Sequence, residues 1–191
     1  MDRPDEPKTT LMGSALEQLS QEHDFIQPLL ERLVDIGARI RVGGSVPPRT
    51  AFIGVALLDA YLHRVHISEE DKELRLEAEA VALPRCTTNL GGMTTNHREM
   101  CRRTQETLTD IRRWASGNEE VRPRVGNGIM ELVSKDYEAV RYEETYALSC
   151  LQTELPQVAN ERLAARFADH AGTRNALEVR IGRFLAGTYT T

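Results

Sequence analysis

The chain has 191 residues, 24 Lys and Arg against 29 Asp and Glu, a formal net charge of −5, and is 40% hydrophobic but only 5% aromatic. One core in a chain of this length buries roughly 70% of the unfolded surface, and the acidic balance speaks against a nucleic-acid surface. No apolar run approaches the roughly 18 residues of a membrane span, and none follows the acidic, proline-bearing start, so the expectation is one domain in the cytoplasm, with no membrane contact.

Residues 1–10 are expected to be a flexible N-terminus. Beyond them Leu, Ala, Glu, Arg and Gln dominate, and no segment sustains the period-two alternation of a strand, so every element is expected to be helical. Helix A is placed over 11–40, where Leu16, Leu19, Ile26, Leu30 and Leu33 step by three and four to draw one apolar stripe. Gly43, Gly44, Pro47 and Pro48 end it. Helix B runs from Pro48 towards Ala80. Pro84 through Gly92 reads as the next break, with helix C starting near Met93 under a Thr94 or Thr95 cap and stopping at Gly117. Pro123, Gly126 and Gly128 mark the next boundary, and helix D runs from Val125 to Glu154. After Pro156 a fifth helix is expected from Val158 to Leu185. Four similar helices with short connections pack most economically as an up-down-up-down four-helix bundle over 11–155. Residues 156–191 form a C-terminal helical extension that covers one side or makes a homodimer contact.

Three cysteines, Cys86, Cys101 and Cys150, are odd in number, widely spaced and without a CxxC pair. That reads as neither a disulfide framework nor a zinc ribbon, and suits a reducing compartment.

The histidines carry the chemistry. His23 interrupts the stripe of helix A between Leu19 and Ile26. On helix B, His66 and Glu70 are four apart and share a face, with Glu69 beside them. His97 lies inward on helix C, between Met93 and Met100. His23 and Glu70 are 47 positions apart, and His97 and Glu143 are 46 apart, so the second helix pair repeats the first. A buried glutamate is costly unless a cation compensates it, and a repeated helix hairpin is how a bundle assembles a two-metal site. The candidate ligands are His23, His66, Glu70, His97 and Glu143. His63, three before His66, is an alternative to it, and Asp59 is spaced to accept its N–H. Asp136 shares a face with Glu143 and could supply the oxygen ligand that Ala139 cannot, but beside Lys135 it reads first as a solvated charge. Tyr137 and Tyr142 read as packing residues. There is no glycine-rich phosphate loop, GxSxG or HExxH.

Over roughly residues 11–155, Glu22-His23-Asp24, His66 with Glu70, His97, and Glu143-Glu144 resemble the hemerythrin-like, or HHE cation-binding, family. The resemblance implies a four-helix bundle around a non-haem di-iron centre with histidine and bridging carboxylate ligands, acting on dioxygen or peroxide. Two positions depart from it. Ala139 stands where the family carries a helix D histidine, and Cys101 where helix C often has a second one. The A–B half-site is intact, while the C–D half keeps His97 and Glu143. The implied cofactor is iron, as a pair or a single ion, and the same ligand types suit manganese or zinc. Two other functions stay open beside this one: a metal-poor bundle acting as an interaction or regulatory protein, and a di-iron oxygenase with an organic substrate.

Overall fold

The structure, a computed structural model, describes residues 14–188; the expected flexible stretch 1–10 lies outside them. Among the described residues every regular element is helical. Helix α1 (Ala15–Arg41) opens on a reciprocal cap: the Ser14 hydroxyl accepts the Glu17 N–H, and the Glu17 carboxylate accepts the Ser14 N–H. Arg39 and Arg41 occupy its last turn, where cations oppose the helix dipole. A second rod runs unbroken from 48 to 80 through α2 (Pro48–Leu58), π1 (Asp59–His66), π2 (Glu69–Leu74) and α3 (Arg75–Ala80). The third is α4 (Pro84–Ala115). The fourth, after a 3-10 turn at Glu119–Val121, comprises α5 (Arg122–Tyr142), π3 (Glu143–Leu148) and α6 (Ser149–Glu154).

Two boundaries differ from the sequence reading because glycine and proline punctuate only where nothing else overrides them. Helix C starts at Pro84 rather than Met93: a proline in the first turn lacks only an N–H that would have no partner there. Gly92 then lies inside the helix, against the Tyr142 ring, where a Cβ would stand 2.6 Å from the hydroxyl oxygen. Gly126 is likewise interior to α5. A Cβ there would meet the Gly37 carbonyl oxygen at 3.0 Å, so the two glycines let α1 and α5 approach closely. The fifth helix is two, α7 (Gln157–Ala168) and α8 (Ala171–Leu185), parted at Asp169 and His170.

The core is divided. One apolar cluster takes Ile26 to Ile40 of α1, Ala51 to Ile67 of the second rod, Met100 to Trp114 of α4 and Val125 to Ala139 of α5. The other takes Ala15, Leu16 and Leu19, then Leu74 and Ala78, then Cys86 to Met93, then Ala147 to Leu151. Successive rods therefore pass through the two clusters in opposite order. Between the clusters each rod carries its buried polar residues: Glu22 and His23; His66, Glu69 and Glu70; His97; Glu143. Helices α7 and α8 close the remaining side, with Leu163 and Phe167 in one cluster and Leu177, Ile181 and Phe184 in the other. Arg162 and Arg166 of α7 grip the buried Glu77 of α3, and Tyr61 donates to Glu178 of α8 at 3.2 Å. No helix among the described residues is long and apolar enough to cross a membrane.

The cysteine expectation is corrected. Cys86 and Cys150 form a disulfide with Cα atoms 5.7 Å apart, and Cys101 alone is free. The pair is 64 positions apart in sequence, but both residues face the cluster where α4 meets α6, a proximity that spacing rules cannot register. Constraining a loop of this size stabilises by about 4 kcal/mol on a chain-entropy model. Reduction, or Cys86→Ser, should lower the unfolding free energy by about 2–4 kcal/mol in denaturant titrations; superimposable curves with and without reductant would mean that the thiols are not joined.

Candidate metal centre

The site lies where the apolar stripe of every rod is interrupted at the same level. Three of the contributing segments, π1, π2 and π3, have i→i+5 hydrogen bonding, and they carry His66, Glu70 and Glu143. Such wide turns in helices concentrate at functional sites.

Three imidazoles direct Nε2 at two carboxylates. His23 Nε2 is 3.0 Å from His66 Nε2 and 3.0 Å from Glu143 Oε2. His66 Nε2 is 3.4 Å from Glu70 Oε2. His97 Nε2 is 2.6 Å from Glu143 Oε1 and 3.6 Å from Glu70 Oε2. Glu143 thus turns one oxygen to His23 and the other to His97. Donors bound about 2.1 Å from one ion stand roughly 3 Å apart, and His23, His66, Glu70 and Glu143 together are able to hold a metal ion.

Each ring is fixed from behind by an outer carboxylate on its Nδ1: Glu144 for His23 at 2.7 Å, Glu22 for His66 at 2.8 Å, and Asp71 for His97 at 2.9 Å. An Nδ1–H donated outward leaves the Nε2 lone pair facing the centre, the orientation that metal-ligating histidines adopt. Ser20 and Thr94 steady two of these carboxylates, with Ser20 donating to Glu144 and Thr94 to Asp71.

The electrostatics register the crowding of charge. Complete burial and then the charge of Glu143 raise the Glu70 carboxyl above its ordinary value, and neither Glu70 oxygen has a hydrogen-bond partner. Burial also opposes ionisation of Glu143, but hydrogen bonds from His23 and His97 outweigh it and hold that carboxyl low. Burial disfavours charge on His23 and His97 as well; their carboxylate partners prevail and push each up to about 10.

Arg174 enters this network from α8. Its guanidinium lies 2.6 Å from Glu22 Oε1 and 2.5 Å from Glu69 Oε1, and all three side chains are buried. A path of charged contacts therefore runs from the C-terminal extension through Glu22 to the His66 ring. Burial works against the Glu22 carboxylate, and His66 and Arg174 together keep it below its ordinary value. Neither Arg174 nor the ring-fixing roles of Glu22, Asp71 and Glu144 were singled out in the sequence. Glu22 and Glu144 adjoin His23 and Glu143, which was a usable signal; nothing marked Arg174.

Every candidate ligand, His23, His66, Glu70, His97 and Glu143, is buried in this layer. His63 is buried too, but its ring nitrogens face Thr104, Asp59 and Asp136, and the group of donors able to hold an ion contains His66. Asp136 is not the solvated charge expected: it has no exposure at all, because it shares the inward face of α5 with Leu132 and Val133. Tyr137 is an exposed side chain, and Tyr142 packs at a tilt against Tyr146 while donating to the Asn89 carbonyl. Ala139 is buried in the first cluster.

No protein-family model, curated protein or solved structure matches this chain.

Removing Arg174 would leave two buried carboxylates without their cation. Loss of one member of a buried charge network typically costs about 3–5 kcal/mol. Arg174→Gln should destabilise the chain by that order in denaturant titrations, whereas Arg183→Gln, at an exposed position on the same helix, should change little; equal, small effects would show that the buried contact is not structural.

Proposed function

We propose that the protein is a hemerythrin-like four-helix bundle with an additional C-terminal pair of helices, binding non-haem iron and interacting with dioxygen or peroxide. The observation that carries this reading is the convergence of three Nε2 atoms on Glu70 and Glu143, with both Glu70 oxygens unpartnered. A fully buried carboxylate with no hydrogen bond is strongly disfavoured unless a cation meets it. The alternating passage of the four rods through two clusters supports the up-down-up-down arrangement.

The donor set of neutral imidazoles and carboxylates suits iron, and also manganese or zinc. His23, His66, Glu70 and Glu143 would hold an ion, with His97 against the outer oxygen of Glu143. Iron in this layer supplies one-electron redox chemistry towards dioxygen or peroxide. The chain's own residues do the rest. Glu144, Glu22 and Asp71 orient the rings. The apolar clusters above and below keep bulk water from the layer. Ala139 offers no donor atom, so the layer would have one protein ligand fewer there, and open coordination is what a small oxidant requires.

A second reading, a metal-poor bundle serving as an interaction or regulatory protein, is favoured by Ala139 alone.

Paired substitutions separate the readings. Protein loaded anaerobically with ferrous iron and desalted should retain the metal in the wild type and in Glu69→Gln, and lose it in Glu70→Gln. The affinity loss in Glu70→Gln should exceed the roughly 10- to 100-fold that removal of an outer partner causes. Exposure of the loaded wild type to air should change its visible absorption. Iron content equal in wild type and Glu70→Gln would contradict the proposal.

A further inference from the structure

The buried histidines follow one wiring rule, and His63 obeys it without belonging to the centre described above. His23, His66 and His97 each place Nδ1 on an outer oxygen and Nε2 towards a buried carboxylate. His63 places Nδ1 beside the Thr104 hydroxyl at 3.2 Å and Asp59 Oδ1 at 3.7 Å, and Nε2 beside Asp136 Oδ1 at 3.5 Å. Asp59 is anchored in turn by Arg64 and Gln105. His63 is therefore held from behind as a metal-ligating histidine is.

In front of it, the polar atoms have no hydrogen-bond partners. His63 Nε2 and both Asp136 oxygens lack one, and the Asp136 side chain is completely buried. A proton on His63 could serve one Asp136 oxygen and would leave the other without a donor. A divalent cation between the imidazole and the carboxylate satisfies all three atoms together.

The placement relates this pair to the Glu70–Glu143 layer. Moving from Glu143 along α5, Ala139 lies one turn away and Asp136 roughly one turn further; moving from Glu70 along the second rod, His66 and then His63 follow in the same sense. On α4, His97 is succeeded by Thr104 in that direction too. All three rods thus step from the Glu70–Glu143 layer towards the first apolar cluster. We propose that His63 and Asp136 bind a second divalent transition-metal ion, displaced by about one helical turn from the place a histidine at 139 would serve. This rests on the metal-binding reading of the neighbouring layer. With two protein donors the remaining coordination falls to water or small anions. A surface cleft of about 420 Å3 has His63, Asp71 and Thr94 in its wall beside Lys72, Arg75 and Arg98, and the imidazole itself lies buried behind it.

The test uses the full chain loaded anaerobically with cobalt(II), read by metal analysis and by anomalous scattering from crystals. Wild type should hold two ions per chain, one peak within bonding range of His66 and Glu70 and one within bonding range of His63 and Asp136. His63→Gln and Asp136→Asn should each lose only the second ion, and Glu70→Gln should deplete the first. One ion in the wild type with no anomalous density at His63 would overturn this proposal and leave the neighbouring centre standing. Retention of two ions in both His63→Gln and Asp136→Asn would also overturn it. No bound cobalt in the wild type would sink both readings. The wild-type map decides the matter even if a variant fails to fold.

Discussion

Two carboxylates, Glu70 and Glu143, are sealed between apolar clusters, and the rest of the layer is organised around that charge. In a medium of low polarity an ionised carboxylate needs a cation or several donors within reach. Here the compensation comes from every direction: imidazoles from α1, π1 and α4, and behind them a ring of outer carboxylates that fixes each imidazole. Glu22, itself buried, then requires Arg174 from α8. Each polar group placed in the interior demands another, and the sequence of demands reaches the end of the chain. A polar layer half satisfied is worse than an apolar one, so such a layer is kept only where it has a use.

Much of this was legible in the sequence. The interruption of the apolar stripe of α1 at His23, the four-residue step from His66 to Glu70, and the repeated interval from His97 to Glu143 all located buried positions correctly. They did so because a helix maps sequence spacing onto a face by simple geometry. Of the two readings open for Asp136, burial decides for the inward one: its shared face with Glu143 outweighs the lysine beside it. Other features had no local signature. The π segments redistribute side chains around the second and fourth rods, and nothing in residue type announces them. The Cys86–Cys150 link and the Arg174 contacts join positions far apart in the chain, which only the packing of rods against one another brings together.

The C-terminal helices illustrate how such long-range contacts alter the meaning of a segment. Read alone, residues 156–191 are an appendage. In the fold, α7 contributes Leu163 and Phe167 to one cluster, α8 contributes Ile181 and Phe184 to the other, and arginines from both helices end on buried carboxylates of the second rod. The same rod carries His63, His66 and Glu70. Docking of the extension and the arrangement of the ligands are therefore mechanically linked through Glu69, Glu22 and Glu77.

Unfolding equilibria are the direct test of whether a metal ion completes this layer. An ion that binds only the folded chain stabilises it by an amount that grows with concentration, about 2.7 kcal/mol at one hundred times the dissociation constant. Anaerobic denaturant titrations of the metal-stripped chain in rising ferrous iron should show a midpoint that climbs with the logarithm of iron concentration. The climb should vanish when Glu70→Gln and Glu143→Gln are combined. A wild-type midpoint that is the same in excess iron and in excess chelator would contradict metal binding there.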